Sequence, residues 1–310
     1  MKRSLWLTAF VVFAGLLVNG QKQTAAQRSA EPNTLLWRIT GKGLQKPSYL
    51  FGTMHMLCAD DIALSDSLKT AIRGADYVYL ELDMNNMFEM LGAMQHMSMK
   101  NDTTLADLLT AEEYKKVEAY FKEGSSILPF EMLQTYKPLL TASLLAEQQS
   151  PACDHMISME QLIMTEAKEN NVTLKGLETM DYQLGIFDQI PYKIQAKQLY
   201  QMVTHVGNKS EESELRILTE AYRKQELAKL EEMTRKEDMG IKNFADILLY
   251  NRNSNWAKKL QTLMQNQSLV VAVGAGHLPG SRGVISLLRQ AGYKVEPVNN
   301  LMLKRKVKEI

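Results

Sequence analysis

The chain has 310 residues, 45% of them hydrophobic, with 36 Lys and Arg balanced by 35 Asp and Glu. That length admits one large domain or two small ones, and the charge balance excludes a dominant basic face for nucleic acid. Two cysteines, Cys58 and Cys153, allow one disulfide at most, the alternative being two separate buried thiols.

Lys2 and Arg3 form a short positive region ahead of residues 5–18, which are apolar apart from Thr8 and Gly15. Val18-Asn19-Gly20 then presents small residues where a signal peptidase cuts, so residues 1–20 read as a signal peptide and Gln21 as the new N-terminus. The run is shorter than the roughly 20 residues that span a bilayer, which favours cleavage over an uncleaved anchor. No later segment is long and apolar enough to cross, so no stable membrane span is expected after cleavage, and the mature chain is expected in the periplasm or secreted. An oxidising compartment favours a Cys58–Cys153 bridge. Residues 21–33 are polar and small and read as a disordered leader, leaving 34–310 as the folded domain.

Residues 35–39 alternate as a strand, and Gly41-Lys42-Gly43 with Lys46-Pro47 turns them into a hairpin with Tyr49-Leu50-Phe51. Gly52-Thr53-Met54-His55 ends the second strand. Residues 65–73 are helical in pattern, with Ser65 or Asp66 as N-cap, and Tyr77-Val78-Tyr79-Leu80 is a short buried strand ending in Glu81. A largely helical span follows, about residues 85–265, with helices expected near 104–121, 131–148, 159–170, 193–206, 212–235 and 244–264. The methionines between Met84 and Met99 read as adaptable core or lid packing, and the charged stretch 214–232 as a solvated face. One strand, residues 172–177, interrupts the helices and ends in Glu178. Residues 269–273 are an uninterrupted apolar run, the pattern of a strand covered on both faces of a parallel sheet. Gly274-Ala275-Gly276-His277 ends it, a helix over 284–290 follows, and residues 293–296 form the last strand. The local run Lys304-Arg305-Lys306 reads as a solvated tail. The predicted fold class is α/β: a central, mostly parallel sheet from two related strand–Gly-x-x-His–helix–strand halves, with a large helical insertion forming a lid.

Ligands of such sheets sit in the crevice outside the carboxyl ends of the strands, where His55, Glu81, Glu178 and His277 all fall. Gly52, Gly274 and Gly276 are the positions where backbone would approach a cofactor closely. Two imidazoles with one or two carboxylates suit a divalent ion with an open position, and such an ion lowers the pKa of bound water. Each residue has a plainer reading: a hydrogen-bonded scaffold histidine, or a solvated carboxylate at a strand end. A single Gly-x-x-His carries almost no information; two in matching contexts carry more. His96, His155 and His205 lack that context. Arg252-Asn253 precedes Trp256 on a helix, and from the residues alone reads as helix surface.

The sequence resembles the TraB/GumN family, which includes the TIKI proteases. The resemblance rests on Leu36-Trp37-Arg38-Ile39, Tyr49–His55, Leu80-Glu81, Gly176-Leu177-Glu178-Thr179, Asn251-Arg252-Asn253 with Trp256, and Val273–Gly280, in this order. It implies a fold like that of erythromycin esterases and ChaN-type haem-binding proteins, and raises Arg252 and Asn253 to candidate site residues. It also implies a metal-dependent peptidase, for which Mn²⁺ or Co²⁺ has been proposed in TIKI members; Zn²⁺ suits the same donors. One departure is Glu160 in Ser158-Met159-Glu160, where many relatives carry Asp. The expected function is an exported metal-dependent hydrolase acting on a peptide or small-molecule substrate. His55, His277 and Glu81 are the expected metal ligands, Glu81 alternatively being general base; Glu178 and Arg252 orient, and Asn253 donates to an oxyanion. The alternatives are a haem- or small-ligand-binding module without turnover, and a metal-free esterase-like hydrolase.

Overall fold

The computed structural model describes residues 33–55, 57–59, 62–124, 128–148, 156–205, 209–236 and 244–302. The expected signal peptide, residues 21–32 of the leader, Cys153, His155 and the basic tail lie outside the described residues.

The strands are β1 (Leu36–Thr40), β2 (Ser48–Thr53), β3 (Leu57–Cys58), β4 (Tyr77–Leu80), β5 (Met156–Ile157), β6 (Thr173–Gly176), β7 (Leu269–Gly274) and β8 (Lys294–Pro297). Six form one sheet in the order β6-β4-β7-β2-β1-β8, and β3 pairs with β5 in a small separate ribbon. β6, β4, β7 and β2 are mutually parallel neighbours, whereas β1 runs antiparallel to both β2 and β8. The all-apolar β7 takes the central place its composition demands, with its first five residues fully buried.

The two halves interlock. Helix Asp66–Gly74 carries the chain from β2 to β4 across β7, and helix Val284–Gln290 carries it from β7 to β8 across β2 and β1. The first of these helices begins where the sequence places it: Ser65 Oγ accepts the Leu68 amide at 3.1 Å, satisfying one of the helix's orphan donors. The β1–β2 hairpin turns through Gly41, Lys42 and Gly43, all at positive φ.

The helical span is divided more finely than its periodicity suggests. The helix expected over 104–121 breaks into Leu105–Leu108 and Ala111–Glu123, because Thr110 and Glu113 form a capping box. The one expected over 131–148 breaks into Phe130–Leu133 and Pro138–Gln148, the proline opening the second piece. That over 212–235 breaks into Lys209–Arg223 and Leu227–Lys236, with Gln225 at φ 57° between them. Helices Met87–Ala93 and Met180–Phe187 were not expected.

Two cores result. One surrounds the sheet and takes in Met159, Ile163, Tyr222, Leu230, Trp256 and Leu260 from the helical span. The other is built mainly from helices, with Leu105, Val117, Phe121, Phe130, Leu145, Leu199 and their neighbours. The charged stretch is therefore not only a solvated face, because Tyr222 is buried and donates its hydroxyl to Gly52 O at 2.9 Å. The methionine-rich stretch departs only in part from the packing expected of it: Met99 is buried and Met97 packs against the helical core. Met84, Met87, Phe88, Leu91 and Met94 are exposed, Phe88 at 89%. Among the described residues, no helix is long and apolar enough to cross a membrane.

Candidate active site at the carboxyl edge of the sheet

The pairing register brings four strand ends to one edge. Leu80 pairs with Gly176 and Thr53 with Gly274, so the residues that follow emerge in the order Glu178, Glu81, His277, His55. Helix Asn251–Leu263, entered through a π turn at Asp246–Tyr250, contributes Arg252, Asn253 and Trp256.

Arg252 is the hub. Its Nη2 donates to Glu81 Oε2 at 2.6 Å and to Glu178 Oε2 at 2.8 Å, and its Nε to the two Glu178 oxygens at 3.0 and 3.2 Å. Nη1 donates to Leu248 O at 3.1 Å and lies 3.4 Å from His277 Nε2. All five guanidinium donors are thereby engaged, a geometry that lysine cannot reproduce. The guanidinium also lies over the Trp256 ring at 4.7 Å. Gln183, on helix Met180–Phe187, donates to Glu178 at 3.1 Å and to Glu81 at 3.4 Å.

His277 is buried, 7% exposed at the side chain, and packs against Trp256 with ring centroids 4.6 Å apart. Asn253 Nδ2 donates to Arg282 O at 3.0 Å, which fixes the amide's orientation and turns Oδ1 to His277 Nδ1 at 2.6 Å. That hydrogen-bond network assigns the proton to Nδ1 and leaves the lone pair on Nε2, facing Arg252 and, at 3.9 Å, Glu81 Oε1. Burial pushes His277 down to about 4, opposed by Glu81 and helped by Arg252, so the ring is neutral at neutral pH. Burial alone would raise Glu81, but His277, Arg252 and the Gly274 amide at 2.9 Å hold it down to about 2. Above pH 4, with His277 neutral, the charge that does this is Arg252's.

His55 stands apart from that cluster. Its side chain is 68% exposed and its Nδ1 lies 2.9 Å from Glu160 Oε1. Of the expected site residues, the structure thus brings together Glu81, Glu178, Arg252, Asn253 and His277, with His55 at the next strand end on a different partner. Gly52 lies inside β2 at an ordinary φ rather than at a turn; its role is close packing against Ala275, the second residue of the other motif. Gly274 ends β7, and Gly276 helps line a cleft of about 240 Å³ with Glu231, Tyr250, Gly280 and Arg282. Residue-level reasoning missed Gln183 and Tyr222, which carry no periodic signal, and met Glu160 only as a departure from a motif.

A divalent cation suits this donor set in kind. His277 presents a neutral Nε2 whose Nδ1 is held by a hydrogen-bond acceptor, as in metal-ligating histidines, and two carboxylates face one guanidinium, leaving the cluster formally short of positive charge. Among the described residues, no three His, Cys, Asp or Glu side chains converge as a ready cage.

A mostly parallel α/β sheet with a helical insertion, carrying an Arg-centred carboxylate–histidine cluster at its carboxyl edge, defines an α/β domain of the open-sheet class, whose ligand crevices lie outside the strand ends. The model of the TraB/PrgY/gumN family matches residues 35–297, and the chain belongs to that family. It is similar to metalloprotease TIKI2 of Danio rerio (22% identity, over 85% of this chain and 61% of that protein). Similar likenesses hold to the metalloprotease TIKI homolog of Nematostella vectensis (21%, 86% and 67%) and to metalloprotease TIKI1 of Homo sapiens (22%, 87% and 63%). The chain thus spans roughly three fifths to two thirds of the length of these curated relatives. No solved structure matches.

Proposed function

We propose that the protein is an exported metal-dependent hydrolase that cleaves peptide bonds. The observation that carries the reading is His277: a buried neutral imidazole, tautomer fixed by Asn253, with its Nε2 3.4 Å from Arg252 Nη1 and 3.9 Å from the ionised Glu81 carboxylate. His277, Glu81 and His55 would hold the ion, which when bound supplies an acidified water and a polarised carbonyl. Arg252 and Gln183 fix both carboxylates, and Asn253, engaged at both ends of its amide, orients His277 rather than donating to substrate. The TIKI relatives are named as metalloproteases, which supports a peptide substrate. The exposed apolar ridge from Met84 to Met94, just past Glu81, offers contacts for apolar side chains of such a peptide. The ridge is tied to the site through Glu89, which accepts the Met180 amide at 2.7 Å at the start of the helix bearing Gln183.

One observation favours metal-free hydrolysis as a second reading: Arg252 already neutralises Glu81 at 2.6 Å. Peptide-library cleavage before and after chelation, with elemental analysis of the purified protein, separates the two. The metal reading predicts loss of cleavage on chelation and recovery with Mn²⁺ or Co²⁺, and at least a 100-fold loss in His277→Ala. Cleavage that persists undiminished after complete metal removal overturns it in favour of the second.

A further inference from the structure

A second carboxylate–imidazole pair lies one strand away from the cluster, and its construction is specific. Glu160 is the second residue of helix Met159–Glu169, whose start is fixed on three sides. The Met159 amide donates to Met54 O at 3.2 Å, inside the first Gly-x-x-His itself. β5 pairs with β3, placing Ile157 opposite Leu57 and Met156 opposite Cys58. Ser158 Oγ accepts the Gln161 amide at 3.1 Å, capping the helix. The carboxylate these contacts deliver is only 18% exposed, yet its partner, His55, is 68% exposed.

Glu160 Oε2 and the nearby strand-end hydroxyl Thr53 Oγ1 are both buried, and neither has a hydrogen-bond partner among the described residues. A carboxylate taken out of water with one oxygen unsatisfied costs stability, and a contact to so exposed an imidazole returns little of it. Stability does not explain the arrangement; geometry at His55 does.

We propose that Glu160 is the positioning residue of His55. By accepting the Nδ1 proton it sets the tautomer and the ring orientation, so that Nε2 is the nitrogen offered to metal or substrate. It does with a carboxylate what Asn253 does for His277 with an amide. The inference rests on His55 being part of the hydrolytic site, as in the reading above.

The test uses the full mature chain and four proteins: wild type, His55→Ala, Glu160→Ala and Glu160→Gln. Three readouts are needed: kcat and KM on a cleaved peptide, Co²⁺ affinity by competition with a chromophoric chelator, and thermal midpoint. Glu160→Ala is expected to lower kcat and Co²⁺ affinity by about 10–100-fold with KM little changed. Glu160→Gln, whose amide oxygen still accepts the Nδ1 proton, is expected to recover a large part of both with a wild-type midpoint. Should Glu160→Ala fail to fold, Glu160→Gln decides: a value between wild type and His55→Ala in both readouts supports the proposal. Glu160 variants within twofold of wild type, beside an inactive His55→Ala, overturn the positioning role and leave the proposed function standing. A His55→Ala protein with full activity and Co²⁺ affinity removes His55 from the site, and this inference with it.

Discussion

His277 is 7% exposed, hydrogen-bonded to a neutral amide and packed under an indole; His55, at the same place in the other Gly-x-x-His, is 68% exposed and faces a carboxylate. Both motifs follow parallel neighbouring strands, and Thr53 pairs with Gly274, so the backbone brings the two histidines to one edge. What differs is the cover. β7 leads into a short 3₁₀ turn, Ala275–His277, lying under helix Asn251–Leu263. β2 leads into a bend and then the small β3–β5 ribbon. A repeated motif therefore fixes where a side chain emerges, and the element packed above it fixes dielectric, tautomer and charge. One sheet edge can thus hold one imidazole neutral against an amide and set a second, exposed one against a carboxylate.

The largest test removes the cover's hub. Arg252→Ala leaves Glu81 and Glu178 buried without their cation, and breaking such a pair costs about 3–5 kcal/mol. Urea unfolding is expected to show that loss, whereas replacing the exposed histidine's carboxylate partner by an amide, Glu160→Gln, leaves the midpoint near wild type. Equal stability in both variants would erase the contrast between the two regions.

Acid should act on the buried half next. His277 titrates near 4 in the folded chain and near 6.5 when exposed, so between those values the unfolded chain binds a proton that the folded chain does not. Its contribution is complete above about pH 6.5 and is lost as pH falls toward 4. Glu81, held near 2 against an ordinary 4.5, continues the loss from about pH 4.5 to 2. Unfolding free energies from urea titrations across pH 7 to 3 are expected to fall throughout, by a few kcal/mol in all. His277→Gln is expected to flatten the upper part of that curve.

At neutral pH the two alanine variants should part company in stability while both lose activity. His277→Ala empties a buried position and strands Asn253 Oδ1, a cost of about 2 kcal/mol. His55→Ala removes an exposed ring and should stay within about 0.5 kcal/mol of wild type.

Much of this was legible in the residues. Apolar runs gave the strand ends, and those ends named Glu81, Glu178, His277 and His55, to which the family resemblance added Arg252 and Asn253. The interlocking of the halves was not legible, because nothing in a strand's own sequence says that β7 inserts between β2 and β4. Helix breaks were partly readable, since Pro138 is a plain signal, whereas the positive φ at Gln225 is set by tertiary contacts to Leu35 and Asn300. Tyr222 hid in a charged run because a single buried aromatic has no period. The Cys58–Cys153 bridge remains an expectation: β3–β5 pairing sets Cys58 opposite Met156, three residues past Cys153, which is outside the described residues. A non-reducing peptide map should recover the linked peptides.

The smallest effect sharpens the comparison most, because the two motifs touch at a glycine. A Cβ on Gly52 would sit 3.1 Å from Ala275 Cα, 3.2 Å from Ala275 Cβ and 3.1 Å from Leu35 Cδ2. Two of those atoms belong to the turn that carries His277, and a backbone atom cannot rotate away. A Cβ on Gly274 would meet only side-chain atoms at ordinary contact, Glu81 Oε1 at 3.4 Å and His277 Cδ2 at 3.5 Å. Gly52→Ala is therefore expected to lower stability by about 1–2 kcal/mol and Gly274→Ala by less than about half of that. The change at Gly52 lies in the motif of the exposed histidine, yet its strain falls on the buried one. Its signature should be weakened activity with a shifted pH–stability curve between 6.5 and 4, the window His277 controls. A Gly52→Ala protein as stable as wild type, with that window unmoved, would show that the two turns are not in tight contact.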